Sequence, residues 1–182
     1  VIRLQHVIGL PVLELETGKK LGHVKDAWFD EHWQLSGIVL DAGRRFLSAM
    51  KSVLWEDVVK CGDDAVLIAS VQSVRKSGPA DVQRSFHHGP VRLKDLLVIT
   101  TDGEQLGRVS DVYFRELQGT QIVGYELTDG FIADVMDGRK WLPVPPDPDT
   151  VMLGNDAIIV PAGSEQLLET VFASDSDIGR NV

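Results

Sequence analysis

The sequence predicts an all-β protein made of two tandem small barrels with a short C-terminal helix. Three observations carry this: an ungapped internal repeat, period-two patterning within each copy, and glycine turns between short apolar runs. Residues 17–29 match residues 102–114 without a gap, and both copies read Gly-x-x-Leu-Gly-x-Val-x-Asp-x-aromatic-Phe. Three further blocks recur in the same order. Arg3-Leu4 parallels Arg92-Leu93, residues 34–43 parallel 121–130, and 62–68 parallel 154–160. Four ordered blocks define a duplicated unit of about 70 residues, because self-similarity at a fixed period marks a repeated structural unit.

Each unit opens with a hairpin. Thr17-Gly18 and Asp102-Gly103 precede alternating runs, and glycine there supplies positive φ without steric cost. The hairpins are predicted as 11–16 turning into 21–29 and 97–101 turning into 106–114. A third strand follows at Leu35–Asp41 and Ile122–Thr128, a fourth at 45–50 and 132–135, and the last at 65–71 and Ala157–Val160. Closure into barrels would remove exposed sheet edges. Residues 1–72 form the first predicted domain and 91–162 the second. Between them, 73–90 holds Gly78-Pro79, His87-His88 and Gly89-Pro90 and reads as a linker. Residues 163–182 read as a short helix, with Ser164 as N-cap and Glu165 in its first turn, followed by a polar tail.

Composition narrows the function. A mass of 20.0 kDa, 43% hydrophobic residues and 25% charged residues describe an ordinary globular chain. No run approaches the roughly 20 apolar residues of a membrane-spanning helix. Residues 1–12 show no secretory leader pattern, so a cytoplasmic location is expected. Residues 1–78 balance ten Lys/Arg against ten Asp/Glu, so residues 79–182 carry the entire net charge of -9. The longest basic clusters are pairs such as Lys19-Lys20 and Arg44-Arg45. Nucleic acid and anionic lipid both call for a basic stripe, so neither is expected as a partner.

With the repeat in view, the chain resembles the PRC-barrel family. That family is named for the cytoplasmic domain of the photosynthetic reaction centre H subunit, and it includes the C-terminal domain of the ribosome maturation factor RimM. The resemblance rests on Gly9-Leu10-Pro11-Val12, on Gly18-x-x-Leu21-Gly22-x-Val24-x-Asp26 and on Gly62-Asp63-Asp64-Ala65-Val66. In the second copy it rests on Gly103-x-x-Leu106-Gly107-x-Val109-x-Asp111, on Leu142-Pro143 and on Gly154-Asn155-Asp156-Ala157-Ile158. The second copy departs at Val98-Ile99-Thr100-Thr101, set against Gly9-Leu10-Pro11-Val12, and at Pro143-Val144-Pro145-Pro146, set against Leu54-Trp55-Glu56-Asp57. The resemblance implies a non-catalytic interaction module and supplies no catalytic set.

The residues themselves point the same way. No phosphate-binding, zinc-protease or nucleophile-elbow motif occurs. His87-His88 near Asp81 is a weak metal pattern, since neighbours in an extended segment point apart. His23 and Arg108 share one repeat position and read as solvent-facing. Asp26 and Asp111 read as acceptors of backbone N–H groups at a strand end or bulge. Asp147-Pro148-Asp149 reads as a plain loop, and Cys61 as a structural thiol. No catalytic, metal or cofactor residues are expected, and no cofactor. In Trp28-Phe29 and Tyr113-Phe114, one ring of each pair is expected in the core and the other outward or between the barrels. Trp33, Trp55, Phe86, Phe131 and Trp141 are further candidate surface anchors. Trp33 and Phe131 are the expected protein-binding residues, because they lie where the copies differ. The expected function is a non-enzymatic protein-interaction or assembly module, with which a homo-oligomer is compatible. The alternatives are a small-ligand or metal-binding protein using an inter-barrel groove, and an RNA- or ribosome-maturation-associated factor.

Overall fold

In the computed structural model, which describes residues 1–41, 50–78, 81–115, 121–130, 136–145 and 150–171, strands dominate. The chain divides into two units, Ile2–Arg92 and Leu93–Val182. The first contains β1 (Ile2–Arg3), α1 (Leu4–Val7), β2 (Pro11–Glu14), β3 (Lys20–Phe29), β4 (Leu35–Asp41), β5 (Met50–Leu54), β6 (Val58–Cys61), β7 (Val66–Ile68), β8 (Arg75–Ser77), β9 (Arg84–Ser85) and β10 (Val91–Arg92). The second contains β11 (Leu97–Thr100), β12 (Gln105–Phe114), β13 (Ile122–Thr128), β14 (Arg139–Pro143), β15 (Met152–Leu153), β16 (Ala157–Val160) and β17 (Glu169–Val171). The predicted fourth strands, 45–50 and 132–135, fall almost wholly outside the described residues. Described strands follow them at β5 and β14.

One topology serves both copies. The first sheet runs β6-β7-β2-β3-β4-β5-β8 and the second β15-β16-β11-β12-β13-β14-β17. In each, the opening strand pairs antiparallel with the long second strand and parallel with the late strand, β2 with β7 and β11 with β16. The repeat therefore extends beyond residue 162. β17 pairs with β14 as β8 pairs with β5, so the C-terminal segment completes the second sheet. The expected helix there is a single 3-10 turn, Ser164–Leu167. It begins after Gly163 at φ 87°, with no side-chain cap, and β17 follows it. It matches the 3-10 turn Val71–Ser73 ahead of β8.

Residues 73–90 are not a free linker. Arg75–Ser77 is sheet, Ser85 pairs with Trp28 of β3, and Phe86 is fully buried. The register also corrects the repeat alignment. Pro11 faces His23 and Leu97 faces Arg108, which sets Gly9-Leu10-Pro11-Val12 against Asp95-Leu96-Leu97-Val98. Gly9 and Asp95 both adopt positive φ, 90° and 67°. Sequence matching missed this because the second hairpin loop is one residue shorter. Gly18 N–H donates to Glu14 O in the first loop, and Gly103 N–H donates to Thr100 O in the second. Gly18 and Gly103 both lie at positive φ, 68° and 92°, as the turn reading requires.

Alternation fills each core. Val12, Ala27, Ile38, Val53 and Val66 are fully buried in the first unit, as are Val98, Val112, Phe114 and Ile158 in the second. Tyr125 takes the place of Ile38, and burial pushes its phenol pKa upward. Trp28, Phe29, Tyr113 and Phe114 are all buried, so neither ring of either pair faces outward. Trp28 packs with Val39 and Val82, and Tyr113 with Trp141 and Val171. A glycine makes room for the tryptophan in each copy. A Cβ on Gly37 would overlap the Trp28 ring and the Val53 carbonyl, and one on Gly124 would overlap the Trp141 ring. The ring arrives from β3 in the first copy and from β14 in the second, over equivalent glycines.

Two expectations follow for stability. Gly37→Ala should cost about 2 kcal/mol, the scale of core overpacking. Gly18→Ala should cost about 1 kcal/mol through φ alone, since nothing lies within 4 Å of its added Cβ. Denaturant melts of the two variants check this order. Glu14, buried on β2, accepts from the Thr17 hydroxyl and from Val71 N–H at 2.7 Å. The Thr17 bond, then the Val71 bond, then the Lys19 charge hold its carboxyl below the ordinary 4.5, against the opposing effect of burial. A depressed folded pKa means its contribution is full above pH 4.5 and is lost as pH falls through the folded value. Glu14→Gln should therefore lose less stability than the parent between pH 6 and about pH 3, read from melts across that range.

Candidate functional site

The first unit carries a cleft on the outer face of β3, β4 and β5. Its floor is Val39, Met50 and Val82, its far wall is Gly89-Pro90, and Lys25, Asp26 and His88 form its polar side. The volume is about 190 Å³. Lys25 and Asp26 are consecutive, yet both line the cleft. A regular strand would send them to opposite faces. The register shifts between them: Val24 pairs with Leu40 and Asp26 with Val39, which leaves Lys25 as the extra residue of a β-bulge.

The bulge holds Asp26 beneath the segment that follows β9. Asp26 is 2% exposed and accepts from Ala27 N–H at 2.8 Å, His87 N–H at 3.0 Å and His88 N–H at 2.8 Å. The His88 Nδ1 atom lies 3.1 Å from Asp26 Oδ2; because a carboxylate only accepts, the ring donates through Nδ1–H. Ser85 Oγ accepts from His88 N–H and Gly89 N–H, and completes the turn. The backbone-acceptor reading of Asp26 and Asp111 holds: Asp111 is fully buried at the matching bulge, where Val112 N–H donates to it at 2.8 Å.

Several sequence expectations are corrected here. His88 meets Asp26 rather than Asp81, whose Oδ2 accepts from Gly78 N–H. Trp33 is 4% exposed and cannot serve as an outward anchor. The Asp30 carboxylate caps His32 and Gln34 in a turn where Trp33 takes φ 57°, so its ring folds back on Phe29, with the Arg84 guanidinium above it. Trp55, Phe86 and Trp141 are buried as well. Phe131 and Asp147-Pro148-Asp149 lie outside the described residues. His23 and Arg108 face solvent, as read from the sequence, and Cys61 is buried and forms no disulfide.

The same face of the second unit is built differently. Ser110, Glu126 and Arg139 stand at the positions of Lys25, Val39 and Met50. Glu126 is 2% exposed, and its carboxylate accepts from Arg139 Nη1 at 2.6 Å, Tyr113 Oη at 3.0 Å and Ser110 Oγ at 3.3 Å. A buried carboxylate is tolerated only when so paired. The signal in the sequence was the mismatch between copies at Lys25/Ser110 and Val39/Glu126, residues that sit inside otherwise matching blocks. Among the described residues, no three His, Cys, Asp or Glu side chains gather as a metal site would require, and no helix is long and apolar enough to cross a membrane.

The latch predicts a local effect. Asp26→Ala leaves two strap N–H groups without their charged acceptor, so amide exchange at His87 and His88 should accelerate about tenfold or more, and global stability should fall by about 3 kcal/mol. Hydrogen exchange read by NMR checks it; unchanged His87 and His88 protection would show that Asp26 does not hold the segment.

Known proteins bear on these features. The chain is 34% identical over 136 residues to a Bacillus subtilis protein described as uncharacterized protein YrrD, and the match covers 74% of each chain. It matches the PRC-barrel domain family over residues 1–75 and again over 91–167, which hold most of the strands of the two sheets. With one copy of the domain in each unit, the chain belongs to the PRC-barrel family.

Proposed function

We propose that this chain is a non-catalytic binding protein that engages a protein partner through the cleft of its first unit. The observation that carries this reading is the contrast between equivalent faces. Where the second unit closes its face with the Glu126 network, the first leaves an apolar cleft of about 190 Å³ with Lys25 exposed at its edge. A partly open apolar pocket rimmed by polar groups is what a partner's anchor side chain needs. Asp26 and His88 form a pair that resembles a catalytic dyad, but two of the three backbone donors on Asp26, His87 N–H and His88 N–H, belong to the segment it latches. This favours a holding role over proton transfer. A single exposed lysine is also far from the basic stripe that RNA would require.

The test is site-specific crosslinking in the intact chain. A benzophenone amino acid replaces Met50 in one version and Val59, an exposed residue of β6 that does not line the cleft, in another. The expected result is a saturable protein adduct from position 50, competed away by excess unmodified chain, and none from position 59. Equal adducts from both positions, or none from position 50, would reject the cleft as the binding surface.

A further inference from the structure

The chemistry of the cleft also specifies its partner. The geometry points to an acidic segment of a partner protein, in which one apolar side chain enters the cleft and a neighbouring carboxylate meets Lys25. This rests on the cleft being the binding surface. Size supports a single side chain: about 190 Å³ is small beside the roughly 300–1,000 Å³ of cofactor and drug sites. The floor is apolar, with Val39, Met50 and Val82, so the inserted group is apolar.

Charge decides what flanks it. Asp26 is the only carboxylate lining the cleft among the described residues, and its side chain is 4% exposed. It is already engaged by Ala27, His87 and His88 N–H and by His88 Nδ1, so little of its charge is presented outward. The His88 side chain is 62% exposed, and its Nδ1–H is committed to Asp26. Lys25 is exposed and makes no ion pair among the described residues. A basic flank would meet Lys25 across the cleft mouth and find no free carboxylate. An acidic flank would find the Lys25 ammonium group, a charged donor. At the matching face of the second unit Ser110 stands in place of Lys25, and Arg139 is paired with Glu126.

The methionines supply the readout. Met50 lines the cleft, whereas Met136 and Met152 lie in the second unit and are 75% and 65% exposed. The intact chain, labelled with ¹³C at the methionine methyls, is titrated with acetyl-Glu-Leu-Glu-amide, acetyl-Gln-Leu-Gln-amide, acetyl-Lys-Leu-Lys-amide and, separately, 4-phenylbutyrate. The expected result is a Met50-selective shift, with the Glu-flanked peptide binding about fivefold tighter than the Lys-flanked one. That ratio should fall towards one in Lys25→Gln, a substitution at an exposed site, and in 1 M salt. Met50 shifts of equal strength for all three peptides would overturn the acidic preference while leaving the cleft as a binding surface. Shifts at Met136 and Met152 without Met50 would reject the cleft itself. Binding of 4-phenylbutyrate with none of the peptides would overturn the protein partner in favour of a small free acid.

Discussion

A strand whose side chains alternate between faces cannot set two neighbours against one pocket. β3 does so because Lys25 is left without a partner on β4, and the outer face of the first unit depends on that extra residue. The bulge turns Asp26 under the segment after β9, where its carboxylate gathers the N–H groups of His87 and His88. Those donors lie in a stretch with no regular ladder of its own beyond two short pairings. Without Asp26, His87 N–H would lose its charged acceptor and His88 N–H would keep the Ser85 hydroxyl. Val82, ahead of the latched turn, lies over Trp28 and Val39 and forms the cleft floor with Met50. Anchored segment, apolar cleft and exposed lysine are thus consequences of one local departure from regular pairing.

The duplicated bulge shows how one frame carries two outcomes. Both units keep the buried aspartate and the glycine that admits a tryptophan ring, Gly37 for Trp28 and Gly124 for Trp141. They exchange the strand that supplies the ring. In the first unit Trp28 comes from β3, and Ser52 stands small on β5, bonded to Ser77. In the second, Trp141 comes from the strand matching β5, and Tyr113 on the long strand meets it edge-on with centroids 4.6 Å apart. That exchange leaves the Tyr113 hydroxyl free to reach Glu126, so the second face becomes a closed, paired polar network. The first remains apolar and open. A carboxylate at the Val39 position of the first unit would lack the arginine and phenol that make Glu126 tolerable.

Much of this architecture was legible in the chain itself. The repeat, the glycine turns and the alternation located Leu35–Asp41, Ile122–Thr128 and Ala157–Val160 with their observed bounds, and placed the long second strands to within a residue. Those signals are local, since turn chemistry and period-two burial act between residues near in sequence. The two buried aspartates were legible for the same reason: the repeat preserved them where solvation alone would not. The C-terminal strand β17 was not legible, because its 3-10 turn begins with the Ser-Glu pattern of a helix start and its pairing partner lies some 30 residues upstream. The outward aromatics failed likewise. Whether Trp33 faces water depends on the φ of one turn and on Arg84, more than 50 residues away. Tertiary structure alone decided the cleft, which joins residues 25, 39, 50, 82 and 88 through a bulge that no residue type announces. Register is set by the sum of pairings along a sheet, so a one-residue slip is invisible in the chain and decisive for which side chains share a face.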